Sequence, residues 1–113
     1  MLVKKEESVR FENSPACIAF EYPLQDKDIN IALIEINGRY PKTGRVSNQE
    51  VKEIVFVVGG EGKIVIEKKE YGLKEKSAVL IQPKKRYFFQ GKLELLVACN
   101  PAWTEKQHKM IQK

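Results

Sequence analysis

Glu53 heads the run Glu53-Ile54-Val55-Phe56-Val57-Val58 and is the one charged residue in it. Alternate residues of a strand face opposite sides, so Glu53 shares a face with Val55 and Val57, and Ile54 shares the other with Phe56 and Val58. Apolar residues at both parities imply that both faces are covered, one by a barrel interior and the other by a second sheet or subunit. If Glu53's set lines the interior, a carboxylate is presented to a partly closed cavity. There it must be paired, hydrated or shifted in pKa, and a shift toward neutrality would suit a general base. The competing outcome is an ordinary strand-end glutamate in solvent or paired with a lysine. Few other side chains can do chemistry. The single histidine, His108, excludes any three-histidine metal centre or two-histidine facial triad within one chain. Cys17 and Cys99 are far apart and flanked by apolar residues, which reads as two reduced thiols acting as small hydrophobes.

The elements that must position these groups are strands. Short runs rich in Val, Ile, Phe and Tyr, punctuated by Gly, Pro, Asn and Lys/Glu pairs, are expected as strands at 18–22, 29–36, 53–58, 63–67, 78–81, 87–90 and 93–99. Seven strands in so short a chain predict an all-β sandwich or barrel. Gly59-Gly60-Glu61-Gly62 reads as a tight turn, and Gly91-Lys92 as a second. Only the end reads as helical: Thr104 is a plausible N-cap, followed by Glu105 to Gln112.

Two stretches resemble the motifs of small single-domain cupins. Glu53 to Ile64, with Glu53 and Gly60, resembles the end of the first motif, and Leu73 to Tyr87, with its β-branched run and Pro83, resembles the second. Together they cover about residues 38–101. The resemblance implies a double-stranded β-helix barrel, jelly-roll-like and usually dimeric, with a ligand or metal site in its mouth. Where metal-binding cupins place histidines, this chain has Val46 and Asn48, or Ser47 and Gln49, and then Tyr87, or Phe88 if the register slips by one. That is a poor ligand set for Zn, Fe or Ni, so no metal and no cofactor is expected. Cys99 to His108, containing Pro101-Ala102-Trp103, resembles the end of a subset of small cupins lacking the same histidines.

The chain has 113 residues, 42% hydrophobic and 31% charged, with a net charge of +5. The expectation is one domain over 1–113: N-terminal strands 1–37, the motif-bearing core, and a tail helix over 103–112. Its lysine groups are interspersed with glutamates, and no helical reading head or aromatic platform is present, so a nucleic-acid partner is not expected. No apolar run reaches the roughly 20 residues needed to cross a bilayer and no signal peptide is visible, which suggests a cytoplasmic protein without membrane association.

In a metal-free barrel mouth, Asn48, Gln49, Gln82, Glu53 and Tyr87 would hydrogen-bond a small polar ligand such as a sugar or carboxylate. Arg39, Arg45 and Arg86 lie near the motifs and could hold an anionic group, or be solvent-exposed or ion-paired with Glu53. Two functions compete. One is a binding barrel within a homodimer built on the apolar outer sheet. The other is a metal-independent sugar or sugar-nucleotide isomerase or epimerase with Glu53 as base and Tyr87 as acid; a metal-dependent enzyme with atypical ligands is a minor third. Trp103 is expected to pack over a barrel edge, and His108 to lie on the surface of the tail helix.

Overall fold

The computed structural model describes residues 1–112. Among the described residues nine strands form one antiparallel sheet: β1 (Val9–Ser14), β2 (Cys17–Glu21), β3 (Asn30–Tyr40), β4 (Arg45–Asn48), β5 (Lys52–Ile66), β6 (Lys69–Lys74), β7 (Ala78–Ile81), β8 (Arg86–Asn100) and β9 (His108–Ile111). The backbone of the sheet runs β1-β2-β3-β8-β4-β9, while β5 pairs with β6, β7 and β8. Curling of this sheet on itself creates the inside and outside that the alternation in 53–58 demands: Val55 and Val57 are fully buried, and Ile54, Phe56 and Val58 are exposed. Ile36, Val46, Val51, Ile64, Leu73, Ile81, Leu95 and Val97 pack with Val55 and Val57 in the core. Among the described residues no helix is long and apolar enough to cross a membrane.

Two expected turns are not turns. Gly59 to Gly62 lies inside β5, which joins the expected strands 53–58 and 63–67 into one and ends at Ile66, with a register shift between Val57 and Gly59. Gly91-Lys92 likewise lies within β8. The glycines permit close approach of backbones instead of chain reversal. Gly38, Gly91 and Gly62 sit in register across β3, β8 and β5. A Cβ on Gly91, whose φ is +139°, would fall 2.5 Å from Gly62 Cα and 2.7 Å from Glu61 O. Neither is a flexible side-chain end that could move away. Gly91→Ala is therefore expected to destabilise the fold by roughly 2–4 kcal/mol, lowering Tm by on the order of 10 °C or more. Gly72→Ala, where an added Cβ meets nothing within 4 Å, should leave Tm nearly unchanged in the same melt.

Residues 103–112 do not form the expected tail helix. Thr104 makes no side-chain cap, Glu105–Gln107 is a single 3-10 turn, and His108–Ile111 is strand β9. β9 pairs with β4 from Arg45↔Ile111 to Asn48↔His108. The available edge of β4 satisfies the backbone of 108–111 in a ladder, an advantage that outweighs the modest helix propensity of this polar segment.

Candidate functional site

Asn48 ends β4 with its side chain buried, and the C-terminal segment converges on it. Its Oδ1 accepts hydrogen bonds from Trp103 Nε1 at 3.1 Å and Gln107 Nε2 at 2.9 Å, and lies 2.7 Å from His108 Nδ1. An indole N–H can only donate, so the amide must present oxygen to this side. Nδ1 of His108 therefore carries the proton and Nε2 keeps the lone pair. Nε2 bonds to no described residue, and no buried side-chain nitrogen or oxygen lacks a partner, so Nε2 reaches solvent. Partial burial lowers the His108 pKa below its ordinary value, which leaves the ring neutral at pH 7. The rings of His108 and Trp103 lie 5.3 Å apart, tilted by 56°.

Behind Asn48 the network enters the core. Asn48 Nδ2 donates to the Tyr87 hydroxyl at 3.4 Å, and that hydroxyl donates to Glu53 Oε1 at 3.3 Å. The Cys99 thiol donates to Glu53 Oε2 at 3.5 Å. Glu53 is 6% and Tyr87 4% exposed, so the alternative of a solvated glutamate does not hold. Nor does a lysine pair: the ion pairs among the described residues are Arg10–Glu12, Lys63–Glu70 and Arg86–Glu67. Burial raises the Glu53 pKa, and the hydrogen bonds from Cys99, Tyr87 and Asn48 oppose that rise in part. Burial, then the Glu53 charge, raises Tyr87 well above its ordinary value and lifts the Cys99 thiol as well. Tyr40 is pushed up to about 12, by burial first and then by Cys17 and Glu53. The interior thus favours protonated forms throughout.

The structure brings together Asn48, Glu53 and Tyr87 and leaves the other sequence-nominated residues apart. Gln49 donates to Ser47 Oγ at 3.2 Å, and Gln82 is exposed. Arg39 donates to the carbonyls of Pro41 and Gly44 and lies 3.9 Å over the Phe88 ring. Arg45 donates to the carbonyl of Glu67, and Arg86 pairs with the Glu67 carboxylate. Arg39 and Arg45 fasten backbone, Arg86 holds a surface ion pair, and none is turned to the Asn48 network.

Gln107 and Cys99 join this network without a sequence pattern that marks them, and His108 lies on strand β9, half-buried, instead of on the surface of a tail helix. Gln107 is buried, its Oε1 accepting from the backbone N–H groups of Glu50 and Val51. The available signal was thin: a Gln-His pair shortly after the only tryptophan. As for metals, no group of three or more His, Cys, Asp or Glu side chains among the described residues is arranged to hold an ion. A carboxylate already engaged by O–H and S–H donors, one amide and one phenol do not suit a transition metal.

No family model matches the sequence, and no curated protein matches it. Solved structures do match over nearly the whole chain. Pac13 from Streptomyces, a nucleoside dehydratase solved with uridine, superposes with a TM-score of 0.89 at 18% identity, covering 99% of this chain and 90% of its own. This chain has the cupin fold. Ectoine synthase from P. lautus shares the cupin barrel with a TM-score of 0.74 at 16% identity, covering 98% of this chain and 90% of that one. KdgF from Halomonas sp. matches at 0.71 and 12%, covering 89% and 94%. At these identities the likeness speaks for the cupin fold alone.

Proposed function

We propose that this cupin barrel binds a small polar ligand, a sugar or nucleoside, without a metal, where His108 and Trp103 meet. The observation that carries the reading is the fixed tautomer of His108: Asn48 turns its lone pair outward on Nε2 as an acceptor for a ligand hydroxyl. The half-exposed indole beside it offers a stacking surface for a sugar or base. Uridine, with both a ribose and a base, is the molecule in the Pac13 structure of the same fold, which supports nucleosides as the first class to test.

The same geometry supports a second reading, acid-base catalysis on such a ligand, with a changed division of labour. Glu53 and Tyr87 lie behind Asn48, and an amide does not relay a proton as a hydroxyl does. In this reading His108 takes the proton, while Glu53 and Tyr87 are positioning residues that hold Asn48 and, through it, the imidazole.

Thermal-shift measurements against nucleosides, sugars and sugar phosphates test the binding claim, because a ligand of the native state raises apparent stability. Nucleosides are expected to raise Tm, and His108→Ala to weaken the response about tenfold or more in concentration. Binding should also fall as pH drops below 6.5 and Nε2 becomes protonated. No shift with any compound, or one indifferent to His108→Ala, would refute the assignment.

A further inference from the structure

Along the chain lysines alternate with glutamates, but strand parity and pairing sort these charges in space. In the half of β8 that begins at Arg86, Tyr87 and Phe89 are buried, so Arg86, Phe88 and Gln90 face outward. The register sets Arg39 of β3 and Lys63 of β5 on either side of Gln90. It sets Ser47 of β4 beside Arg86 and Lys109 of β9 beside Ser47, which puts Arg45 on the same outer face. Three of the chain's four arginines therefore stand together.

The carboxylates among them are already engaged: Glu70 pairs with Lys63 at 3.2 Å and Glu67 with Arg86 at 3.0 Å. Arg39, Arg45 and Lys109 have no ion pair among the described residues. The turns bordering the face add exposed lysines. Lys42 lies in the 41–44 connection that Arg39 binds, Lys68 follows Glu67, and Lys84 and Lys85 precede Arg86. These seven uncompensated cations exceed the +5 of the whole chain, so the rest of the molecule is negative on balance.

The arginines are fixed before any ligand arrives. Arg39 donates to the carbonyls of Pro41 and Gly44, and Arg45 to that of Glu67. Their guanidinium carbons lie 3.9 and 5.4 Å from the centre of the Phe88 ring. A guanidinium has five N–H donors, so each keeps donors for a phosphate while the ordering of its side chain is already complete. The convex face of a sheet presents no helix or ribbon to enter a duplex groove. A single strand is flexible enough to follow it, with phosphates on the cations and bases against flat arginine and aromatic surfaces.

We infer that this basic face binds single-stranded nucleic acid through its phosphates, without reading sequence. The surface lies outside the Trp103–His108 site, and the inference stands or falls independently of the ligand proposed there.

Fluorescence anisotropy of a labelled oligouridylate, titrated at a series of salt concentrations, provides the test. Binding is expected in low salt, with log K falling against log salt by about 0.7 for each phosphate engaged, a slope of roughly −3 to −5. The triple variant Lys42→Gln, Lys68→Gln, Lys84→Gly should stay folded by circular dichroism, lose about two units of slope and bind about tenfold more weakly at equal salt. Glycine suits position 84, where φ is +70°. Lys52→Gln, at the opposite end of β5, should leave slope and affinity unchanged. Absence of binding in low salt, an unaltered slope in the triple variant, or equal affinity for duplex DNA would overturn the inference.

Discussion

Asn48→Ala is expected to cost about 3 kcal/mol of stability, a sizeable share of the 5–15 kcal/mol typical of a domain. One oxygen serves Trp103, Gln107 and His108, and the amide nitrogen serves Tyr87, so truncation strands donors on both sides. Trp103 and His108 are partly exposed and can turn to water, whereas Gln107 is buried and retains Thr104 O as its other acceptor. The larger consequence is local. Residues 101–111 should gain hydrogen-exchange rates well beyond the global change in stability, because β9 keeps only its short ladder with β4. Asn48→Asp separates the two roles of the side chain. It keeps an acceptor for the three donors, removes the donor to Tyr87, and places a negative charge beside His108. The midpoint for loss of ligand binding on acidification should then move to higher pH. Unchanged exchange in residues 101–111 of Asn48→Ala would show that this hub does not hold the C-terminal segment.

The second large effect is at Glu53. Glu53→Ala leaves the Tyr87 hydroxyl and the Cys99 thiol without their acceptor and opens a cavity, with an expected cost of about 3–5 kcal/mol. Glu53→Gln keeps the shape and removes the titration, so it isolates the proton. Folding raises the Glu53 pKa above 4.5, and the folded state therefore holds this proton more tightly than the unfolded chain does. The resulting stabilisation is fully present below pH 4.5 and is lost as pH rises through the folded-state pKa. His108 acts in the opposite sense: its lowered pKa removes stability as pH falls from 6.5 through its folded value. Urea unfolding at a series of pH values should show the wild type losing stability relative to Glu53→Gln as pH rises from 4.5. Parallel curves for the two proteins would mean that Glu53 titrates alike in both states.

What was legible in the sequence was what local pattern controls. The parity of 53–58 grouped Glu53 with Val55 and Val57 on one face but did not say whether that face was inside or in solvent; the curl of the sheet turns it inward. The motif spacing brought Asn48 and Tyr87 to that glutamate. The glycine segments were misread because a turn and a close backbone crossing call for the same residue. What distinguishes them is the position of a strand distant in sequence, as with Gly62 and Gly91. The tail was misread for a related reason: His108 to Ile111 is strand only because the edge of β4 lies beside it. Nothing within the segment states that pairing, so the contact between His108 and Asn48 could not be foreseen. Arg39 and Arg45 were nominated for their charge, but their planar donors are used on backbone carbonyls.

The glycine column has a consequence for the order of assembly. Gly62 and Gly91 are distant in sequence, yet each is shaped for the other's backbone. During synthesis β5 can form its hairpin with β6, but its other edge waits for β8, whose last pairing joins Lys52 to Asn100. The barrel therefore closes only once β8 has emerged as far as Asn100, and topology dominated by such distant pairings places folding in the slow, millisecond-to-second class. Until then the inward Val55-Val57 face is open to water along with the outward Ile54-Phe56-Val58 face. The nascent chain is thus most exposed to mispairing in the interval between release of β5 and arrival of β8.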